Sequence, residues 1–99
     1  MRVLSGRTAA VTGAASGIGR MLAVNMAREG CNLALADIDA AGLGGTCSMI
    51  GSSVHVSTHV VDVSRRDEVA RYAAETIEAH KTVDVLVNNA GVALGDMLE

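Results

Sequence analysis

Four short stretches hold the residues with the most to offer chemically. The first is Thr12-Gly13-Ala14-Ala15-Ser16-Gly17-Ile18-Gly19, with glycines in the spacing Gly13-x3-Gly17-x-Gly19. Glycines let a backbone turn tightly and come close to a ligand. A helix beginning at the end of such a run adds unpaired amides and the positive end of its dipole, a seat for a phosphate. The second is Asp37, eighteen residues beyond Gly19, where a carboxylate closing a strand can accept from both ribose hydroxyls of an adenosine. The third is Asp62-Val63 and the fourth is Asn88-Asn89-Ala90-Gly91. The glycine run and Asp37 together read as a dinucleotide site. A 2′-phosphate at Asp37 would meet a like charge, and none of Ala14, Ala15, Ser16 or Ile38 is an Arg or Lys that would offset it. The expected cofactor is therefore NAD rather than NADP. The competing readings are a solvated strand-end acid at Asp37 or Asp62 and an ordinary turn at 88–91. Each suffices alone, and together they account poorly for the set.

The remaining reactive side chains form no second pattern. Cys31 and Cys47 stand sixteen positions apart, with no CxxC and no zinc spacing, and read as two reduced thiols. His55 and His59 share a strand face but lie about 13 Å apart at 3.3 Å per residue, too far for one ion. His80 falls at a helix end, so polar edge or surface positions are expected for all three and no metal site. Tyr72 is the only tyrosine and Lys81 the only lysine. They are nine residues apart, and Tyr72 reads as helix packing.

The elements that must position these residues follow from apolar periodicity. A strand over residues 8–11 runs into the glycine turn. A helix over 18–28 follows, with Ile18, Leu22, Met26 and Ala27 as its apolar face and Gly30 at C′. Residues 32–36 form a second strand ending at Asp37. Residues 39–50 are a poor helix, because Gly42, Gly44 and Gly45 each cost up to ~1 kcal/mol relative to alanine; a short helix or partial loop is expected. A third strand covers 54–63. Ser64 with Asp67 resembles a capping box, opening a helix whose stripe is Val69, Tyr72, Ala73 and Ile77, with Lys81 at or beyond its last turn. Residues 83–87 make a fourth strand, ending at Asn88. The order βαβαβαβ implies a parallel sheet with right-handed crossovers. The fold class expected is α/β, the first part of a three-layer, doubly wound Rossmann-type sheet with strand order 3-2-1-4 and its switch point between strands 1 and 4.

With these motifs in place, the chain resembles the short-chain dehydrogenase/reductase family over essentially all of residues 1–99. The resemblance rests on Thr12-Gly13-x3-Gly17-Ile18-Gly19, Asp37, Asp62-Val63 and Asn88-Asn89-Ala90-Gly91 in that order. It implies an NAD-dependent oxidoreductase moving hydride between nicotinamide and an alcohol or carbonyl substrate. It further implies that Ser16 and the amides around Ile18 face the pyrophosphate, that Gly13, Gly17, Gly19 and Ile38 are cofactor-binding with them, that Asp37 addresses the ribose, and that Asp62 and the Val63 amide address adenine. Asn89, Ala90 and Gly91 would line the adenosine ribose, and Asn88 would tie the fourth strand to the first. The family's serine, its Tyr-x3-Lys pair and its further helix asparagine lie beyond the Asn-Asn-Ala-Gly motif. Here Tyr72 is followed by Thr76 where the lysine would stand. The resemblance thus covers the cofactor half alone, no catalytic residue is assigned, and these 99 residues are expected to be inactive. The alternative is a non-catalytic dinucleotide-binding or interaction module.

Composition agrees with this outline. Of 99 residues, 49% are hydrophobic, with no Phe, Trp or Pro, so the core must be aliphatic, as in strands covered on both faces. The net charge of −3 is interspersed and leaves no basic patch for a nucleic acid. No apolar run approaches ~18 residues, and no signal sequence is legible, so a soluble cytoplasmic chain is expected. Were these 99 residues the whole molecule, the apolar edge at 83–87 would seek pairing, and a homo-oligomer is expected on that footing.

Overall fold

The computed structural model describes residues 3–89. Its elements are β1 (Thr8–Thr12), α1 (Gly17–Arg28), β2 (Asn32–Asp37), α2 (Ala40–Ile50), β3 (Val56–Val60), α3 (Arg66–His80) and β4 (Val85–Val87). The four strands pair in parallel in the order β3-β2-β1-β4, the topology expected of the alternating pattern. In register, Val11 faces Leu35 and Val87, and Ala36 faces His59.

The strand pleat sorts side chains by size. Ala9, Val11, Leu33 and Leu35 point to one face and join Ala23 and Ala27 of α1 and Leu43 of α2 in the larger core. Ala10, Ala34 and Ala36 point to the other, where their small size leaves room for Tyr72 of α3. Alternation of this kind follows from the two-residue period of a strand.

Four expectations are corrected. The buried face of α1 is Gly19, Ala23, Val24 and Ala27, with Met26 partly buried beside them, while Ile18 is 69% and Leu22 38% exposed. The helix is rotated because it must approach the turn closely: a Cβ on Gly19 would lie 2.0 Å from the Gly13 carbonyl oxygen. Helix α2 is complete across eleven residues in spite of its glycines. Asp39 caps it by accepting from the Gly42 amide at 3.0 Å, and Gly42 lies against Ala15, where a Cβ would come within 2.7 Å. Packing there outweighs local propensity. Strands β3 and β4 are shorter than 54–63 and 83–87. The capping box at Ser64 does not form: Arg65 is the N-cap without a side-chain bond, since Ser64 is turned back to Asp62. Instead, Glu68 reaches back to accept from the Asp62 amide at 2.8 Å.

Helix ends otherwise follow the sequence. Gly30 takes φ +85 just past α1, which only glycine adopts freely. Lys81 lies just beyond α3 as its C-cap, with φ +72.

Candidate functional site at the strand ends

The glycine turn is held on every side. Its first glycine, Gly13, has φ +66. The Ala14 amide donates to the Ala36 carbonyl at 3.1 Å, and the Ala15 amide donates to Asp37 Oδ2 at 3.0 Å. From α2, the Thr46 hydroxyl donates to the Ala14 carbonyl at 2.7 Å. From the end of β4, the Asn89 amide donates to Thr12 Oγ1 at 3.1 Å, and Asn89 Nδ2 approaches the Gly13 carbonyl at 3.4 Å. So pinned, the turn delivers Ser16, Gly17 and Ile18 to the surface at the head of α1. Ser16 is the N-cap in extended conformation, with no side-chain cap bond. It is exposed, and the first amides of a helix have no intrahelical partner, an arrangement that accepts an anion.

A cleft of about 280 Å³ opens beside the turn, lined by Gly13, Asp37, Ile38, Val61, Asp62 and Val63. Two carboxylates lie on its walls, and among the described residues no cationic side chain lines it. Asp37 is fixed by two backbone donors, Ala15 on Oδ2 and Asp39 on Oδ1, the latter at 3.0 Å. Asp62 accepts on one oxygen, Oδ1, from both the Ser64 hydroxyl at 2.6 Å and the Ser64 amide at 3.0 Å. The Ser64 hydroxyl, then its amide, hold the Asp62 carboxyl below the usual carboxylate range, so it stays ionised and acceptor-only. Such walls suit a ligand that presents hydroxyl or amino donors.

The structure thus brings Gly13, Asp37, Ile38, Asp62 and Val63 into one cleft, with Ser16, Gly17 and Ile18 at the adjacent helix head. Gly19 does not face it: it is buried between the Gly13 carbonyl and Asn89 and serves close packing. The tie between β4 and β1 falls to Asn89 rather than Asn88. Ala90 and Gly91 lie outside the described residues. Thr46, Arg20 and Gly42 hold the turn from behind and were not read from the sequence. Their signal was the inward spacing Gly42-x2-Gly45-Thr46, which local helix propensity registers only as weakness.

Away from the cleft, Tyr72 is buried with its hydroxyl on the Ala34 carbonyl at 2.6 Å, and burial raises its pKa. It packs α3. His59, expected at a polar edge or surface, is instead buried under α3: Ser57 Oγ lies 2.7 Å from His59 Nε2 and 2.8 Å from His80 Nε2. His80 comes from α3 to complete this group, which strand spacing alone did not disclose. No group of three His, Cys, Asp or Glu among the described residues is placed to hold a metal ion. No helix among them is long and apolar enough to cross a membrane.

The short-chain dehydrogenase family model matches residues 7–99. The chain belongs to this family. SadH of Mycobacterium tuberculosis is 37% identical over 94 residues, covering 94% of this chain and 34% of that protein. A short-chain dehydrogenase from Mycobacterium paratuberculosis, solved bound to NAD, superposes with TM-score 0.83 at 30% identity, over 89% of this chain and 38% of that one. A metagenomic short-chain oxidoreductase solved with NADP gives TM-score 0.82 at 37% identity, over 90% of this chain and 41% of that one. The chain therefore spans 34–41% of the length of these short-chain dehydrogenase relatives.

Proposed function

We propose that this chain is the NAD-binding portion of an oxidoreductase that transfers hydride between a nicotinamide cofactor and an alcohol or carbonyl substrate, with residues 1–99 forming one Rossmann-type unit. The observation that carries the reading is the cleft that joins Gly13 to Asp37 and Asp62, next to the outward-facing head of α1. Its chemistry fits a dinucleotide. Ser16 and the amides of Gly17 and Ile18 would meet the pyrophosphate. Asp37 would accept from the adenosine ribose hydroxyls, and Ile38 would flank it. Asp62 would accept from the adenine amino group beside the Val63 amide, and Asn89, Ala90 and Gly91 would close the ribose side. Bound there, the nicotinamide group supplies the hydride chemistry, and this chain supplies grip and orientation. Relatives solved with NAD and with NADP support a nicotinamide dinucleotide. Asp37 favours NAD, because a 2′-phosphate would face its charge.

Calorimetric titration tests this. NAD is expected to bind more tightly than NADP, and Asp37→Ala is expected to weaken NAD by about tenfold, the scale of a charge-assisted hydrogen bond. An affinity unchanged by that substitution rejects the cofactor assignment.

A second reading, binding without turnover by these residues alone, is favoured by Tyr72. The only tyrosine is committed to Ala34 inside the core, and no other residue is assigned as proton donor. Alcohol-dependent NADH production by the 99-residue chain would overturn it. A cytoplasmic homo-oligomer completes the proposal. Light scattering that shows only monomers at micromolar concentration counts against it.

A further inference from the structure

The peptide unit between Ala14 and Ala15 sits at the centre of the glycine turn, and its two polar ends are held by different elements. Its N–H, on Ala15, donates to Asp37 at the end of β2. Its C=O, on Ala14, accepts from Thr46 on α2 at 2.7 Å. Thr46 and Ala14 are both fully buried, so this hydroxyl has no exchange with solvent to fall back on. A threonine hydroxyl carries one proton. Inside a helix it commonly goes to the carbonyl four residues back, here Gly42, which lies 3.2 Å away. Arg20 of α1 alters that balance. Its Nη2 donates to the Gly42 carbonyl at 2.9 Å, and its Nε donates to Thr46 Oγ1 at 2.9 Å. The guanidinium engages the competing acceptor and donates into the hydroxyl lone pair, which directs the Thr46 proton to the shorter contact on Ala14. Gly45 leaves the space for this: a Cβ there would lie 2.9 Å from Arg20 Nη2.

We propose that Thr46, oriented by Arg20, is a positioning residue for the pyrophosphate of the bound dinucleotide. It touches no ligand. By fixing the Ala14 carbonyl while Asp37 fixes the Ala15 amide, it sets the plane of the Ala14–Ala15 peptide, one residue before Ser16, and so positions the backbone that leads to the amides of residues 16–18. Because Asp37 shares this peptide, the pyrophosphate and ribose ends of the site are registered to each other through it. The inference rests on the dinucleotide reading above.

The test compares three ligands that share adenosine: NAD and ADP-ribose, which carry the pyrophosphate, and adenosine, which lacks it. Thr46→Val keeps the branched shape and removes the hydroxyl. It is expected to weaken NAD and ADP-ribose by about tenfold, as loss of a buried hydrogen bond does, and to leave adenosine within about twofold. Thr46→Ser is expected to restore ADP-ribose binding to within about threefold, since the hydroxyl returns. Should Thr46→Val fail to fold, Arg20→Met decides: it keeps the aliphatic stem and is expected to weaken ADP-ribose by about fivefold with adenosine unchanged. Unchanged ADP-ribose binding in a folded variant, or parallel loss of adenosine, overturns the positioning role alone. No binding of NAD or ADP-ribose by the unsubstituted chain overturns the dinucleotide reading, and this inference with it.

Discussion

On the face of the sheet covered by α1 and α2, Ala9, Val11, Leu33 and Leu35 are all fully buried. On the opposite face Ala10, Ala34 and Ala36 meet Tyr72 and Val69 of α3 together with Val61 and Val63, and an apolar cleft of about 250 Å³ lies between α3 and β4, lined among others by Thr12, Val69, Tyr72, Ile77, Val83 and Leu86. The first face is closed by burial of large aliphatic side chains. The second is held at the β3 end by polar contacts, Tyr72 on Ala34 and the Ser57–His59–His80–Glu75 group. The helices that back the glycine turn, α1 and α2, both lie on the closed face, while Val61 and Val63 of the second face line the cleft beside it.

The strongest way to break this comparison is to truncate one large side chain on each face. Leu35→Ala is expected to cost about 3 kcal/mol, because a fully buried leucine loses both transfer energy and packing. Leu86, 47% exposed at the cleft, should lose less than about 1 kcal/mol on the same change. Urea denaturation measures both. Equal losses would mean the two faces are equally closed.

Helix α2 sharpens the comparison within one element. Gly42→Ala would press a Cβ to 2.6 Å from Asp39 Oδ2 and 2.7 Å from Ala15 Cβ, and a cost of about 1–3 kcal/mol is expected for overpacking. Gly44, two residues on, has nothing within 4 Å of the same atom, and Gly44→Ala should stabilise by up to about 1 kcal/mol through helix propensity. Thermal melts of the two variants should move in opposite directions.

The same glycines mark the limit of what was legible beforehand. Strand order, the glycine turn, Asp37 and the Gly30 cap could be read because each is a local signal: a period, a motif or a backbone conformation that one residue type supplies. Helix α2 was underrated because Gly42 and Gly45 serve contacts with Ala15 and Arg20, and those partners are distant in sequence. The buried face of α1 was misread for a related reason. Ile18 and Leu22 are the larger apolar residues, yet the close approach at Gly19 turns the small-residue side inward. Likewise His80 joins His59 only because α3 folds back along β3.

A smaller effect probes the polar attachment of α3. Tyr72→Phe removes the hydroxyl that donates to Ala34 at 2.6 Å and should cost about 1 kcal/mol. Burial holds the Tyr72 pKa above its usual value, so this cost should be constant across neutral and mildly alkaline pH. A variant as stable as the original protein would place the hold of α3 in its apolar contacts instead.

The smallest effect, and the most diagnostic, is the response to acid. His80 has its pKa lowered by burial first, then by His55 and His59, whose rings lie on the same side of β3; the His55 ring is 4.3 Å from that of His80. Its unfolded value is 6.5. Below that pH the unfolded chain takes up a proton that the folded one resists, so stability falls as pH drops from 6.5 to the lower folded value, then levels. Glu75 is lowered first by its hydrogen bond from His59, and also by Arg71, which pairs with it at 3.2 Å. Its contribution is complete above the unfolded value of 4.5 and is lost as pH falls through the lower folded one. Two separate steps are therefore expected in the urea midpoint on acidification. His80→Gln should erase the upper step and spare the lower, and Glu75→Gln should spare the upper and shrink the lower, the remainder coming from Asp62, whose pKa is also lowered. Because the closed face holds no such group, Leu35→Ala should shift the whole profile down without changing its shape. A profile whose shape changes with Leu35 would mean that the two faces do not act independently.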